Sequence, residues 1–192
     1  MNEYPNWFHQ AGADRNFARF LSEFVGKPVS VLQIGAFTGD ASLWMMQNVL
    51  THEDARLTDV DTWEGSDEVA HKPLDWQSVE QVYTEKMHEV IAAGKLIKNK
   101  GTSDEFFAKS EAKFDFIYVD GDHTAAAVLK DGVNAVGALA PGGILAFDDY
   151  MWRSKKGPTY DPYPSIDAVM NAFKPDFEVL EIGLQVWLKH RR

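Results

Sequence analysis

The sequence predicts an α/β protein built on a seven-stranded, mostly parallel sheet that ends in an antiparallel hairpin, with helices on both faces. Between residues 29 and 173, short apolar segments alternate with longer segments of helical periodicity. This alternation is typical of parallel strands joined by crossover helices. After residue 176, two apolar segments follow each other with no room for a helix between them, which predicts the terminal hairpin.

The first 28 residues predict a helical extension that precedes the main domain. Apolar residues recur there at the spacing of one helix face, and a Gly-Lys-Pro sequence ends the pattern. The face comprises Phe17, Phe20, Leu21 and Phe24. We expect this helix to pack on the domain, with a role over the substrate or in contacts between copies as the alternative. Residues 29–192 show no repeat or linker and are assigned to one domain.

The strands and helices of that domain are assigned in chain order. The predicted strands are residues 28–35, 55–61, 95–101, 114–120 and 143–149, followed by the hairpin strands 177–183 and 184–190. The predicted helices are residues 40–50, 78–94, 103–110, 124–143 and 165–173. A Pro-Gly-Gly turn closes the fourth of these helices, and Ser165 is the expected N-cap of the last one.

The composition of the chain limits which partners and which cellular locations are expected. The formal charge is −10 and no long basic run occurs, so nucleic acid is not an expected partner. No apolar run approaches the roughly 20 residues of a membrane-spanning helix, and the first residues lack the features of a signal peptide. We therefore expect a cytoplasmic protein with no membrane partner. The absence of cysteine excludes disulfides, thiolate metal sites and a cysteine nucleophile.

Polar residues follow every predicted parallel strand at the point where it ends. Ligands on parallel sheets bind at the carboxyl ends of the strands, near the point where strand order reverses. Five polar turns at one edge of the sheet therefore predict a binding site. These turns are residues 35–39, 61–63, 102–104, 120–123 and 148–150.

The turns after the first two strands predict a nucleoside-containing ligand. Glycines 35 and 39 allow close approach to the backbone, and the helix that follows offers free N–H groups. Asp61 is suited to bind ribose hydroxyls, and Trp63 beside it is suited to cover an adenine. The alternatives are a plain tight turn for the glycine loop and simple packing under a loop for Trp63.

Three carboxylates at the ends of the fourth and fifth strands predict a metal site. Neighbouring strands lie about 4.8 Å apart, so Asp120, Asp148 and Asp149 would come close together. Crowded carboxylates repel one another unless a cation lies among them, and an all-oxygen set favours Mg²⁺ first and Mn²⁺ or Ca²⁺ next. His123 is then suited to act as a general base. The alternatives are acids that cap loops and face solvent, and a structural histidine.

Three segments carry a resemblance to a known family. VLQIGAFTGDASLWM, TDVDTWEGSDE and the stretch from FDFIYVDGDH to GGILAFDDY resemble successive motifs of class I S-adenosylmethionine-dependent methyltransferases. Within that class they most resemble the small metal-dependent O-methyltransferases, of the catechol and macrocin-type sugar branches. The resemblance spans residues 29–190. It implies a Rossmann-like sheet of seven strands whose last strand is antiparallel.

The resemblance also implies roles for the residues of the predicted site. Asp120, Asp148 and Asp149 would hold Mg²⁺, and His123 matches the base of the sugar-modifying branch. Gln33 stands where the family usually has an acid, which implies a weaker contact with the cationic groups of the cofactor. The implied cofactor-binding residues are Gln33, Gly35, Ala36, Phe37, Thr38, Gly39, Asp61, Thr62, Trp63, Ser103, Asp104 and Asp120.

The expected function is transfer of a methyl group from S-adenosylmethionine to a hydroxyl of a small molecule, a sugar or a phenol of a natural product, with help from Mg²⁺. We expect residues 150–164 to cover the acceptor, with Trp152, Arg153 and Tyr160 as contacts; the alternative is an ordered loop without a substrate role. Because relatives commonly self-associate, a homo-oligomer is a further expectation.

Three rival functions remain open from the sequence. A nicotinamide-dependent oxidoreductase would require a Gly-x-Gly-x-x-Gly loop, which residues 35–39 do not form. A metal-independent methyltransferase would use the acids only to orient the acceptor. A methyltransferase fold that serves as a scaffold without catalysis draws support from Gln33.

Overall fold

The computed structural model describes residues 4–191 and contains seven strands in one sheet. The strands are β1 (Ser30–Ile34), β2 (Arg56–Asp61), β3 (Leu96–Lys100), β4 (Phe114–Val119), β5 (Leu139–Phe147), β6 (Phe177–Ile182) and β7 (Val186–His190). They lie in the order β3-β2-β1-β4-β5-β7-β6. The first five pair in parallel, and β7 runs antiparallel to both of its neighbours. The predicted mostly parallel sheet with an antiparallel terminal hairpin is confirmed.

Seven helices surround the sheet in the described part of the chain. They are α1 (Trp7–Gln10), α2 (Ala13–Phe20), α3 (Asp40–Asn48), α4 (Trp76–Ala92), α5 (Ser103–Phe107), α6 (Ala125–Ala138) and α7 (Tyr163–Ala172). Residues of α2, α3 and α4 share one buried apolar cluster with the sheet, and residues of α6 and α7 share a second cluster on its other face. None of the helices in residues 4–191 has the length and apolar character that crossing a membrane requires.

The order of the strands reverses at β1. From β1 the chain moves outward to β2 and β3, and then returns to β4 on the other side of β1. The helices that follow β1 and β4, α3 and α6, therefore pack on opposite faces of the sheet, and a crevice opens at the carboxyl ends of the strands.

The amino-terminal segment forms two short helices that pack on the sheet. Phe17 of α2 is fully buried, and its ring meets the rings of Phe116, Tyr118 and Trp187 edge-on. The helical pattern does not continue unbroken to residue 24, because a 3-10 turn covers Ser22–Phe24. The predicted domain division after residue 28 stays a prediction.

Two predicted boundaries in the second half of the chain are wrong. Helix α6 ends at Ala138 rather than at residue 143, and Leu139 already pairs with Phe114 of β4. Residues 140–143 form an irregularity within β5, because Pro141 has no N–H to donate and Gly142 has φ +77. Ser165 does not cap α7, which begins two residues earlier; its hydroxyl donates to the carbonyl oxygen of Ala125.

A carboxylic acid lies inside the core below the loop that follows β1. Asp59 of β2 is completely buried. Its Oδ2 accepts hydrogen bonds from the hydroxyls of Ser42 (2.6 Å) and Tyr83 (2.7 Å), whereas its Oδ1 has no partner among residues 4–191. Burial raises the pKa of Asp59 to about 7, although the two hydrogen bonds act in the opposite direction. This acid therefore changes charge near neutral pH.

The buried acid predicts a pH dependence of stability. The pKa of Asp59 is about 7 in the folded protein and about 3.9 in an unfolded chain. The folded state therefore holds an extra proton between these values, and stability falls as pH rises from about 4 to about 7. A shift of about three units corresponds to roughly 4 kcal/mol. Asp59→Asn, which cannot ionise, should gain stability relative to the wild type as pH rises from 5 to 8 in urea unfolding.

A matched control uses an acid on the loop before β2. Asp54 has a side chain that is 68% exposed, so Asp54→Asn should keep the pH profile of the wild type. If Asp59→Asn also followed the wild-type profile, Asp59 would not be the group that titrates.

Candidate functional site

A cavity of about 870 Å³ opens at the carboxyl ends of the parallel strands. Each of the five polar turns predicted from the sequence contributes to its lining. The rest of the wall comes mainly from helices α1 and α6, from the start of α4 and the loop before it, and from the segment after β5. The cavity therefore lies at the point where the strand order reverses.

The loop after β1 approaches the loop after β4 at Gly35. Gly35 has φ +85, and a Cβ atom added there would lie 1.8 Å from the carbonyl oxygen of Asp120. Any other residue would collide with the backbone of the neighbouring loop. Of the glycine-loop residues predicted to bind a cofactor, Gly35 and Phe37 line the cavity.

The other predicted residues of this loop lie behind the cavity wall. They are Gln33, Ala36, Thr38 and Gly39, none of which lines the cavity. Gln33 is 1% exposed, and its amide donates to the carbonyl oxygen of Gly35 (2.8 Å). Its amide oxygen lies 3.3 Å from the hydroxyl oxygen of Ser42, whose proton goes to Asp59. The side chain of Gln33 thus supports the loop from below, where a carboxylate could not donate a hydrogen bond.

Asp61 lines the cavity and also stabilises the loop after β1 through hydrogen bonds. Its Oδ2 accepts from the backbone N–H groups of Ala36 (2.7 Å) and Phe37 (2.9 Å), and its Oδ1 accepts from the N–H of Trp63 (2.7 Å). A carboxylate offers about four acceptor positions, so about one remains for a ligand hydroxyl. Thr62 lines the cavity beside it.

Trp63 does not line the cavity. Its side chain is buried, its Nε1 donates to the carbonyl oxygen of Phe37 (2.9 Å), and its ring packs against Tyr83. This arrangement corresponds to the alternative stated for Trp63 from the sequence, in which its ring packs under a loop.

The turn after β3 contacts a carboxylate of helix α6 that no sequence pattern had marked. Thr102 caps α5 through a capping box with Glu105, and the hydroxyl of Ser103 donates to Asp131 of α6. Asp131 lines the cavity, and burial raises its pKa to about 6. An acid between Val128 and Ala135, on the buried face of the predicted helix, was the signal that could have found it. Asp104 also lines this end of the cavity.

His123 lies among the predicted metal-binding acids. Its Nε2 is 3.0 Å from Oδ2 of Asp149 and 3.9 Å from Oδ1 of Asp120. One ligand atom from each of these three residues lies within 4.8 Å of the other two. Asp149 has φ +56, a conformation that Asp and Asn adopt more easily than most residues.

Asp148 lines the same cavity, but its oxygens already accept hydrogen bonds from the protein. The hydroxyl of Tyr118 donates to Oδ2, and the backbone N–H of Asp149 donates to Oδ1 (2.8 Å). The three predicted carboxylates therefore line one cavity, with His123 beside Asp120 and Asp149.

The electrostatics of this cluster favour a cation. Burial and the charge of Asp148 raise the pKa of Asp120, and burial and the charge of Asp149 raise the pKa of Asp148. Ionised carboxylates are therefore costly here, and a divalent cation among them would remove that cost. Carboxylate oxygens with a nearby imidazole suit Mg²⁺ or Mn²⁺. The residues present thus fit the predicted metal.

Glu68 approaches His123 from the opposite side, and no sequence pattern marked it. Its Oε1 lies 3.3 Å from Nδ1 of His123, in a contact without hydrogen-bond geometry. Burial alone would raise the pKa of Glu68, but the contact with His123 outweighs it and the pKa falls to about 2. Burial would likewise lower the pKa of His123, yet its contacts with Asp120, Asp149 and Glu68 raise it well above the ordinary value.

Aromatic rings form the remaining wall of the cavity. Trp7 of α1 stacks on Phe37, with ring centroids 4.6 Å apart, and His71 and Trp76 pack beside them. On the far side, Trp152 packs against His123 at 5.1 Å. These rings leave an apolar surface beside the acids.

Of the three contacts predicted in residues 150–164, only Trp152 lines the cavity. The guanidinium of Arg153 lies over the ring of Tyr163, and Tyr160 lies under Lys156. The ammonium of Lys156 also reaches Asp67 of the loop between β2 and α4, at 2.6 Å from its carboxylate and 2.7 Å from its carbonyl oxygen. The segment is therefore tied across the cavity to that loop.

Comparison with protein families identifies the domain. The profile of the methyltransferase domain family matches residues 32–150. A search of the curated proteins finds no sequence that matches this chain.

Solved structures with the same fold are distant in sequence. A Clostridium thermocellum protein with a proposed rRNA-methylase function is 12% identical, with a TM-score of 0.69 over 99% of this chain and 98% of that chain. The O-methyltransferase TomG from Streptomyces achromogenes, in complex with S-adenosylmethionine, is 14% identical, with a TM-score of 0.62 over 99% and 92%. MycE methyltransferase from the mycinamycin pathway, in complex with Mg and S-adenosylhomocysteine, is 13% identical, with a TM-score of 0.62 over 99% and 55%. These likenesses establish a shared fold.

The contact at Gly35 predicts a large effect of a single methyl group. Gly35→Ala should lower stability by at least about 2 kcal/mol, because the positive φ and the overlap with the backbone of Asp120 both oppose it. Urea unfolding measures the loss. Gly137→Ala is the control, because its Cβ would meet no atom within 4 Å and Ala favours the helix. Equal stabilities of the two variants would contradict the close approach of the loops.

Proposed function

The chain belongs to the methyltransferase domain family, and on that basis we propose that it transfers a methyl group from S-adenosylmethionine to a hydroxyl of a small molecule, assisted by a divalent cation. The observation that carries this proposal is the cluster of Asp120, His123 and Asp149 in one cavity with the glycine loop. A carboxylate pair beside an imidazole is the set of groups that deprotonation of a hydroxyl requires.

The binding site that we propose for S-adenosylmethionine runs from Gly35 to Ser103. Gly35 and Phe37 would lie along the methionine part, and Asp61 would accept a hydrogen bond from the ribose. Ser103 and Asp104 would approach the adenine. Gln33, Ala36, Thr38, Gly39 and Trp63 would contribute by holding the loop in place. The complex of TomG with S-adenosylmethionine supports this choice of cofactor by analogy of fold.

We propose that Asp120, Asp148 and Asp149 hold Mg²⁺ or Mn²⁺. Tyr118 and the backbone of Asp149 would orient Asp148, and the left-handed backbone at Asp149 turns its carboxylate toward His123. The presence of Mg in the MycE complex supports this assignment by analogy of fold.

His123 would take the proton of the acceptor hydroxyl through Nε2, the nitrogen that faces the carboxylates. These carboxylates raise the pKa of His123, and a cation bound among them would offset that effect and leave Nε2 free to accept a proton. Bound S-adenosylmethionine supplies a methyl group on a positively charged sulfur, and a bound cation lowers the pKa of a nearby hydroxyl. The protein's own contribution is to position the acceptor oxygen and to remove its proton. Trp152 and the aromatic wall around Trp7 would hold the apolar part of the acceptor and keep water away.

The charges of the cavity support a neutral or cationic small molecule as acceptor. Among the described residues that line the cavity, eight are Asp or Glu, and Lys130 is the single Lys or Arg. Lys130 itself pairs with Asp104 at 2.8 Å. A phosphate backbone would be repelled from such a cavity, which favours a small molecule over nucleic acid.

The metal assignment predicts a loss of affinity on removal of one carboxylate. Asp149→Asn keeps a side chain that tolerates φ +56 but loses its charge. Mn²⁺ affinity in calorimetric titration should fall at least about tenfold. Asp122→Asn, which retains an oxygen for the N–H of Thr124, is the control and should bind Mn²⁺ as the wild type does. Equal affinities of both variants would remove Asp149 from the metal site.

The proposed base predicts a loss of turnover without a loss of cofactor binding. His123→Ala should lower methyl transfer to a panel of sugar and phenol acceptors by about 10²- to 10⁴-fold. Its affinity for S-adenosylhomocysteine, measured by calorimetry, should stay within about threefold, because His123 lies away from the glycine loop. His88→Ala, on the exposed face of α4, is the control for activity.

Three results would contradict parts of the proposal. Undiminished turnover of His123→Ala would remove the histidine from the mechanism. Turnover that persists with a chelator would favour a metal-independent methyltransferase. Failure of the wild type to bind S-adenosylhomocysteine would favour a scaffold without catalysis.

A further inference from the structure

The two ring nitrogens of His123 lie in different surroundings. Nε2 faces the carboxylates of Asp149 and Asp120, where the proposed chemistry takes place. Nδ1 points the other way, is buried, and has no hydrogen-bond partner within residues 4–191. Its nearest acidic group is Glu68, whose Oε1 is 3.3 Å away.

Glu68 is held at this place by its own loop. Its Oε1 accepts a hydrogen bond from the hydroxyl of Ser66 (2.7 Å), and the side chains of Glu68 and His123 are each only 16% exposed. The neighbouring residue Asp67 is tied to Lys156 across the cavity. The carboxylate of Glu68 is therefore shielded from water and held in place by Ser66 and by the contact of Asp67 with Lys156, so it can stay beside Nδ1 of His123.

Glu68 does not belong to the group of atoms that would hold the cation. The cation is proposed to lie among the carboxylates of Asp120, Asp148 and Asp149, and Nε2 of His123 faces Asp120 and Asp149. Glu68 meets the imidazole from the opposite side, so its action on the proposed chemistry passes through the ring of His123.

We propose that Glu68 is a positioning residue for His123: its carboxylate keeps a proton on Nδ1, so that Nε2 is the nitrogen that accepts the proton of the acceptor hydroxyl. A neutral imidazole has one N–H and one lone pair, and an adjacent carboxylate favours the tautomer with the N–H on its own side. The same division of roles between an acid and a histidine occurs in hydrolytic triads. A distance of 3.3 Å fits a contact that shortens in the working complex. This inference rests on the proposed function.

Three variants test the role of Glu68. Glu68→Gln keeps the size of the side chain and removes its charge, and kcat should fall about 10- to 100-fold, with the KM for S-adenosylmethionine unchanged. Glu68→Asp, which retains the carboxylate, should recover part of the loss. Glu64→Gln makes the same chemical change at an exposed position of the same loop and should match the wild type.

The tautomer of His123 can also be measured by NMR spectroscopy, without enzymatic turnover. Imidazole ¹⁵N chemical shifts of neutral His123, assigned by comparison with His123→Ala and recorded with Mg²⁺ present, should report a proton on Nδ1 in the wild type and in Glu64→Gln. Glu68→Gln should show a mixture of both tautomers. An unchanged tautomer in Glu68→Gln would overturn the inference, as would a kcat equal to that of Glu64→Gln.

These outcomes separate the inference from the proposed function. If His123→Ala is inactive while Glu68→Gln is not impaired, the inference about Glu68 fails and the base assignment stands. If His123→Ala retains full activity, the assignment of His123 as the base fails; if the wild type transfers no methyl group, the proposed function fails. The ¹⁵N shifts then still decide whether Glu68 sets the tautomer of His123.

Discussion

The close approach of two loops at the centre of the sheet determines most of the site. Gly35, after β1, lies so near the carbonyl oxygen of Asp120, after β4, that no side chain fits between them. This contact brings the glycine loop and the acidic turn to one cavity, although 85 residues separate them in the chain. Asp61 then fastens the glycine loop by accepting hydrogen bonds from its backbone N–H groups. Glycine at position 35 therefore allows the region proposed to bind the cofactor to lie directly beside the region proposed to remove the proton.

A second constraint is the excess of negative charge that these loops bring together. Burial, and after it the charge of a neighbouring carboxylate, raises the pKa of Asp120 and of Asp148. His123 relieves part of this repulsion, and Glu68 adds a further negative charge on the far side of the ring. The cluster is therefore costly for folding, as is common where a protein retains charged groups for function.

The sequence predicted the sheet and the principal acids because both follow from short-range patterns. Alternation of apolar strands with periodic helices sets the order of the elements, and the rule for parallel sheets places the residues that follow each strand at one edge. Glu68 and Asp131 escaped prediction because their roles arise from contacts between distant segments, with His123 and with Ser103. For Trp63 the sequence left two roles open, covering a ligand and packing under a loop, because its burial against Tyr83 depends on the packing of α4, which no local pattern specifies. The end of α6 was misplaced because a helix and an irregular strand meet there without a separating loop.

The tryptophans of the cavity wall can report ligand binding through their intrinsic fluorescence. The chain has six tryptophans, and Trp7, Trp76 and Trp152 line the cavity on opposite sides. Indole emission depends on the polarity and stacking of its surroundings, so a ligand that enters the cavity changes the environment of half of the tryptophans at once. Titrations followed by intrinsic fluorescence can therefore screen many candidate acceptors without a label. Single Trp→Phe replacements distinguish a ligand that changes the fluorescence of Trp152 alone from one that also changes the fluorescence of Trp7.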